Sequence, residues 1–316
     1  VGGIVNEVGH RDFISSQKMA KYERGAVLQS LLPVQHSTDS HTVMKIHYFP
    51  SPKETNVLGT EQLRENFLLG GLFQAGQINA RYTDLDRMIV GGVLPAGPVA
   101  LPHYKATGTS FFLERREMGI LNLSAPGVVN VAGKRYELGT LDCLYLGLGE
   151  KDISFENGPT GQAAFYFVST PAHAKYPTTV LRRADVKTDP IGDVTKVNRR
   201  RINKYIHPEG IKSCQLVLGF TEFEPGSVWN TMPPHTHSRR TEVYLYFDLA
   251  DQMVVHLMGE PNATRHLIVR DREAVLSPAW SVHAGVGTAN YRFVWAMGGD
   301  NQIFADMDPV AISELR

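Results

Sequence analysis

The chain has 316 residues, of which 42% are apolar and 20% charged, ordinary globular values that exclude a disordered or fibrous protein. That length allows two domains or one large barrel, with enough core to fold without staples. Lys+Arg and Asp+Glu both number 32, so the basic surplus of a dedicated nucleic-acid binder is missing. The two cysteines, Cys143 and Cys214, cannot build a disulfide framework and suit a reducing compartment. The longest uncharged apolar stretch, residues 88–102, is too short for a membrane span and is broken by Gly and Pro. No basic flank and apolar run opens the chain, so no secretory signal is read. The expectation is a soluble, cytoplasmic protein with neither nucleic acid nor membrane as partner.

Residues 1–40 show little strand pattern and balance four basic against four acidic residues. They are expected to form a peripheral extension. Residues 60–73 (TEQLRENFLLGGLF) open with a Thr able to cap and place Leu63, Phe67 and Leu68 near helical spacing, which predicts one helix. Beyond it the signal is strand. Residues 165–168, 215–220, 243–247, 254–258 and 293–296 are short and rich in aromatic and β-branched side chains. Gly, Pro, Asn and Asp clusters separate many of them. The fold class expected is all-β, a sandwich or barrel with few short helices.

An internal echo accompanies this pattern. Residues 111–123 (FFLERREMGILNL) and 236–247 (THSRRTEVYLYF) both place Arg-Arg and then Glu before an apolar strand. Residues 139–145 follow the first copy much as 272–277 follow the second, so two diverged copies of one β unit are one reading, and chance similarity of amphipathic strands the other. Between the halves, residues 182–204 carry eight positive and three negative side chains. A solvated linker accounts for them, and an anion-holding role for one or two is the sharper reading.

The chemistry concentrates at Pro234-His235-Thr236-His237-Ser238-Arg239-Arg240-Thr241-Glu242. On a strand, His235 and His237 point to one face. Glu242 has the wrong parity for the same strand, but a turn through residues 238–241 lets it return on a neighbouring strand toward the same point. His283 follows in Pro278-Ala279-Trp280-Ser281-Val282-His283, ahead of a glycine-rich stretch. Three imidazoles and one carboxylate suit zinc, Mn(II), Fe(II), Co(II) or Ni(II). His-x-His alone is common on exposed strands; the added Glu and the distant Pro-x4-His match the two-part metal motif of cupin barrels. The chain departs from that motif in detail, since Gly226 stands nine positions before His235 and Trp280 replaces a glycine. His103, His173 and His207 read as loop residues and Cys143 as core packing.

Residues 87–95, 112–119, 198–206, 230–247, 277–287 and 300–308 together resemble the 5-keto-4-deoxyuronate isomerase family, the 4-deoxy-L-threo-5-hexosulose-uronate ketol-isomerases. The resemblance runs from about residue 41 to the C-terminus. It implies a bicupin with a metal-free barrel at 41–180, a basic linker at 181–199 and a metal-binding barrel at 200–316. It further implies one zinc per subunit on His235, His237, Glu242 and His283, a hexamer, and a ketouronate substrate isomerised from aldehyde to ketone through an enediol. Glu222, Tyr244 and His256 are then candidates for the base. Arg200, Lys204, Arg239 and Arg240 are the pool of cations for the substrate carboxylate. A cupin metal-dependent dioxygenase and a non-catalytic sugar-binding cupin are the alternatives.

Overall fold

The structure is a computed structural model that describes residues 43–316 apart from residue 187. The proposed extension, residues 1–40, lies outside the described residues. Strands dominate, and the α-helices among the described residues are Pro52–Thr55 and Thr60–Phe67. The helix expected over 60–73 is therefore shorter, and its cap is Gly59 rather than Thr60. Leu63 and Phe67 are its buried face, as the spacing required. At Leu68 the backbone turns extended, and Leu68–Leu69 pair antiparallel with the strand Ala274–Ser277. Sheet pairing, followed by the helix-weakening pair Gly70-Gly71, ends the helix there.

The strands form two barrels of like plan. In the first, a seven-stranded sheet contains in adjacent order Ile89–Val93, Phe165–Pro171, Arg116–Asn122 and Cys143–Leu146. In the second, a six-stranded sheet contains Val217–Phe223, Arg292–Gly299, Arg240–Phe247 and Ala274–Ser277 in the corresponding order. Each large sheet has a four-stranded companion, and these also match strand for strand in order. The echoed Arg-Arg…Glu segments thus lead into strands that hold the same place in their sheets. Four of the five apolar runs expected as strands lie within strands, and the fifth, 215–220, enters its strand only at Val217.

Side-chain alternation divides the core into three parts. Met118, Ile120, Phe165 and Phe167 point into the first barrel, among Val129, Val131 and Phe155. Leu121, Tyr166 and Val168 point the other way, against Leu218, Phe220, Val243, Leu245 and Val294 of the second large sheet. Tyr244 and Tyr246 point into the second barrel with Val254, Met258 and Phe293. The two large sheets therefore pack face to face, each also lining its own barrel. Their approach is close at Gly119, where a Cβ would sit 2.7 Å from Ile206 Cδ1 and 3.1 Å from Leu216 Cδ2. The parity that sends Val243 and Leu245 between the barrels sends Arg240, Glu242, Tyr244 and Tyr246 inside the second.

Candidate metal centre

His235 lies on the two-residue strand His235–Thr236, which pairs with Asp308–Pro309. The chain turns after His237, so Glu242 enters on Arg240–Phe247, a strand of a different sheet. His283 precedes the strand Ala284–Gly287. These three elements bring the four side chains together, with their donor atoms all within 4.8 Å of one another. His235 Nε2 is 3.1 Å from His237 Nε2 and 3.0 Å from His283 Nε2. Glu242 Oε2 is 3.0 Å from His237 Nε2 and 3.1 Å from His283 Nε2. Among the described residues this is the one such group.

The chemistry of the donors fits a divalent cation. His237 Nδ1 lies 2.9 Å from the Asp306 carbonyl oxygen, which can only accept. His237 therefore carries its proton on Nδ1 and turns a lone pair on Nε2 toward the cluster. His283 Nδ1 rests 3.2 Å from Ser277 Oγ. Burial, helped by the neighbouring His283, pushes the His235 imidazole down to about 3, so it stays neutral. Burial raises the Glu242 carboxyl, but the His283 and His237 rings beside it outweigh that and hold it below the usual range. Lone pairs and a carboxylate crowding one buried point are costly unless a cation occupies it. Zinc and its neighbours accept this set at bond lengths of about 2.0–2.2 Å.

The cluster opens on a cavity of about 370 Å³. Ile202, Phe293, Trp295, Met297 and Phe304 give it apolar walls. Arg200 is the one Lys or Arg among the described lining residues, and its Nη1 donates to the Asn198 carbonyl at 2.8 Å. Burial lowers its pKa, but guanidinium remains charged. Tyr244 also lines the cavity, its ring 5.2 Å from that of His283. Burial, then the Glu242 charge, holds its hydroxyl well above the ordinary value, so it is a donor at neutral pH.

The remaining candidates stand elsewhere. Glu222 lies in a separate cleft with Asp248 and pairs with Arg183 at 2.7 Å, so it does not reach the cluster. His256 is fully buried behind Tyr246, whose hydroxyl is 2.7 Å from its Nδ1, and does not line the cavity. Lys204 sits over the Phe304 ring at 4.1 Å. Arg239 is taken up by Asp306 and Asp308. Arg240, 1% exposed, donates to the carbonyls of Ile303 at 2.7 Å and Asp306 at 2.6 Å, with Nη2 3.2 Å from His237 Nδ1. It braces the loop that holds His237. Asp306 and Thr231, another lining residue, entered the sequence reasoning only through the resemblance of residues 300–308 and 230–247, which gave neither a role.

Barrel plan and cluster together define a two-barrel cupin built around one candidate metal centre. A family model described as KduI/IolB matches residues 82–312. A 4-deoxy-L-threo-5-hexosulose-uronate ketol-isomerase of Opitutus terrae is 70% identical over 275 residues, 86% of this chain and 100% of that protein. One from Caldicellulosiruptor bescii is 49% identical over 276 residues, again 86% and 100% of the two chains. The chain belongs to the KduI/IolB family and is an enzyme of the ketol-isomerase class. Two solved structures resemble it in fold alone. An IolB-like protein from Salmonella typhimurium LT2 has a TM-score of 0.56 at 14% identity, covering 68% of this chain and 84% of its own. Lactobacillus farciminis oxalate decarboxylase has 0.50 at 10%, covering 72% and 80%.

Proposed function

We propose that this enzyme converts 5-dehydro-4-deoxy-D-glucuronate to 3-deoxy-D-glycero-2,5-hexodiulosonate, with one zinc per subunit on His235, His237, Glu242 and His283. The supporting observation is the meeting of that four-donor cluster and a single cation, Arg200, on one cavity. The relatives' names supply the substrate class.

The reaction moves a proton from C2 to C1 of the open-chain sugar through an enediol, turning an aldehyde into a ketone without an electron acceptor. A bound zinc would supply polarisation of the oxygens on the reacting carbons, and it has no redox chemistry of its own. Arg200 grips the substrate carboxylate as a charge-assisted pair. Tyr244 donates a hydrogen bond to a substrate oxygen. The apolar walls exclude bulk water, which strengthens both interactions. Of the three residues considered as bases, Tyr244 is the one that lines the cavity.

We further propose barrels at 41–180 and 200–316 with a linker at 181–199, a peripheral role for residues 1–40, a hexamer, and a cytoplasmic location. No helix of the described residues is long and apolar enough to cross a membrane. The test is metal analysis of the purified protein, joined to an anaerobic assay with the ketouronate. Zinc at one per subunit with formation of the 2,5-diketo product is the expected result. No turnover, with oxygen uptake and an iron requirement in air, would replace this reading with a dioxygenase.

A further inference from the structure

Ten non-glycine residues among those described have a positive φ, and only two of them, Val197 and Thr231, are β-branched. A β-branched residue in the left-handed region is a true outlier, because its side chain crowds the backbone there. Such strain persists only where the surroundings hold it or the side chain is used. Val197 is exposed, and its carbonyl accepts the N–H groups of Val228 at 2.8 Å and Trp229 at 3.0 Å. That clasp fixes the strand Trp229–Asn230, which leads directly into Thr231. At Thr231 φ is +51°, and the side chain lines the metal cavity with Oγ1 3.5 Å from the Tyr244 hydroxyl. Gly or Asn would take this backbone at lower cost, but neither would put a hydroxyl there.

Resting on the functional reading above, we infer that Thr231 is a substrate-binding residue, its hydroxyl paired with that of Tyr244 to hold one oxygen of the open-chain ketouronate. The strained backbone aims that hydroxyl into the cavity, and Val197 acts as a positioning residue behind it. Two adjacent hydroxyls suit an oxygen that changes from hydroxyl to carbonyl during reaction, since either can donate or accept.

The experiment compares zinc-loaded wild type, Thr231→Val, Thr231→Ser and Thr231→Asn on the ketouronate, with kcat, KM, zinc content and Tm for each. Thr231→Val keeps the shape and loses the hydroxyl. It should lower kcat/KM roughly three- to tenfold at unchanged zinc content. Thr231→Ser should retain wild-type kinetics. Thr231→Asn should raise Tm by roughly 2–4 °C while losing activity, the mark of strain kept for function. Wild-type kinetics in Thr231→Val would overturn the inference and leave the isomerase reading intact. A wild type inert toward the ketouronate would overturn both.

Discussion

Glu117, on the strand Arg116–Asn122 of the first barrel, accepts the backbone N–H of Leu216 at 2.9 Å from 99 residues away. The same carboxylate accepts the N–H groups of Cys214 and Gln215, the Thr170 hydroxyl and the Tyr145 hydroxyl. Those three amides directly precede Val217–Phe223, a strand of the second large sheet. One buried carboxylate therefore joins the barrels.

Glu117→Gln exchanges acceptor lone pairs for an amide that must face donors. At about 1.5–3 kcal/mol for a hydrogen bond to a charged group, the variant should lose at least that much stability. Urea unfolding would show the midpoint falling, with the far-ultraviolet spectrum of the folded state kept. An unchanged midpoint would mean the anchor contributes nothing.

His283→Ala removes one donor of four, and should lower metal occupancy and cut turnover at least about 100-fold with the fold retained. Chelation of the wild type should lower Tm, because an ion bound only by the native state stabilises it by mass action. Arg240→Lys, which loses the planar fork holding the Asp306 carbonyl against His237 Nδ1, should weaken metal binding about 10–100-fold, as loss of a ligand's supporting hydrogen bond does. Arg239→Ala, in an exposed ion pair, should change neither quantity appreciably. Metal titration monitored by activity separates the two arginines.

Arg200→Gln should raise KM for the ketouronate roughly 10–100-fold, the worth of a charge-assisted hydrogen bond, with a smaller effect on kcat. Metal content should match the wild type. If KM is unchanged, the carboxylate lies elsewhere.

Stability should fall in acid. Burial, then the charge of His283, holds His256 at about 3 in the folded protein, against an ordinary 6.5. As pH drops below 6.5 the unfolded chain takes up this proton and the folded one does not. The contribution is thus whole above 6.5 and is lost toward 3, at up to about 1.4 kcal/mol per pH unit. Tm measured across that range should slope downward. His256→Gln should flatten the slope; an equal slope in the variant would assign the acid sensitivity to other groups.

Three of the four donors were legible from local rules, and His283, 41 residues beyond Glu242, from the two-part cupin motif. Alternation aligns His235 with His237, and a turn brings Glu242 to the inner face that Tyr244 and Tyr246 share. The five apolar runs were legible for the same reason. What stayed hidden depends on contacts across long separations. Asp306 reaches His237 over 69 residues, and the Glu117 carboxylate meets its amides over 97 to 99. In sequence Arg239 and Arg240 look alike; in the fold Arg240 is buried and its neighbour Arg239 exposed. The tail of the helix over 60–73 was misjudged because Leu68 and Leu69 satisfy a helical stripe and a strand equally well. Their partner, Ala274–Ser277, lies two hundred residues on.

That borrowed pair has a bearing on how the molecule can be divided. The sheet that carries Glu242 ends on Leu68–Leu69, a piece of chain that precedes the first barrel's main strands. Cut between residues 181 and 199, the half that carries the His235–His283 cluster would leave the outer flank of Ala274–Ser277 bare, an open apolar edge ready to recruit another chain. Though built to one plan, the barrels are no longer interchangeable parts. Shuffling or grafting the second alone would need a substitute for two leucines that it does not itself encode.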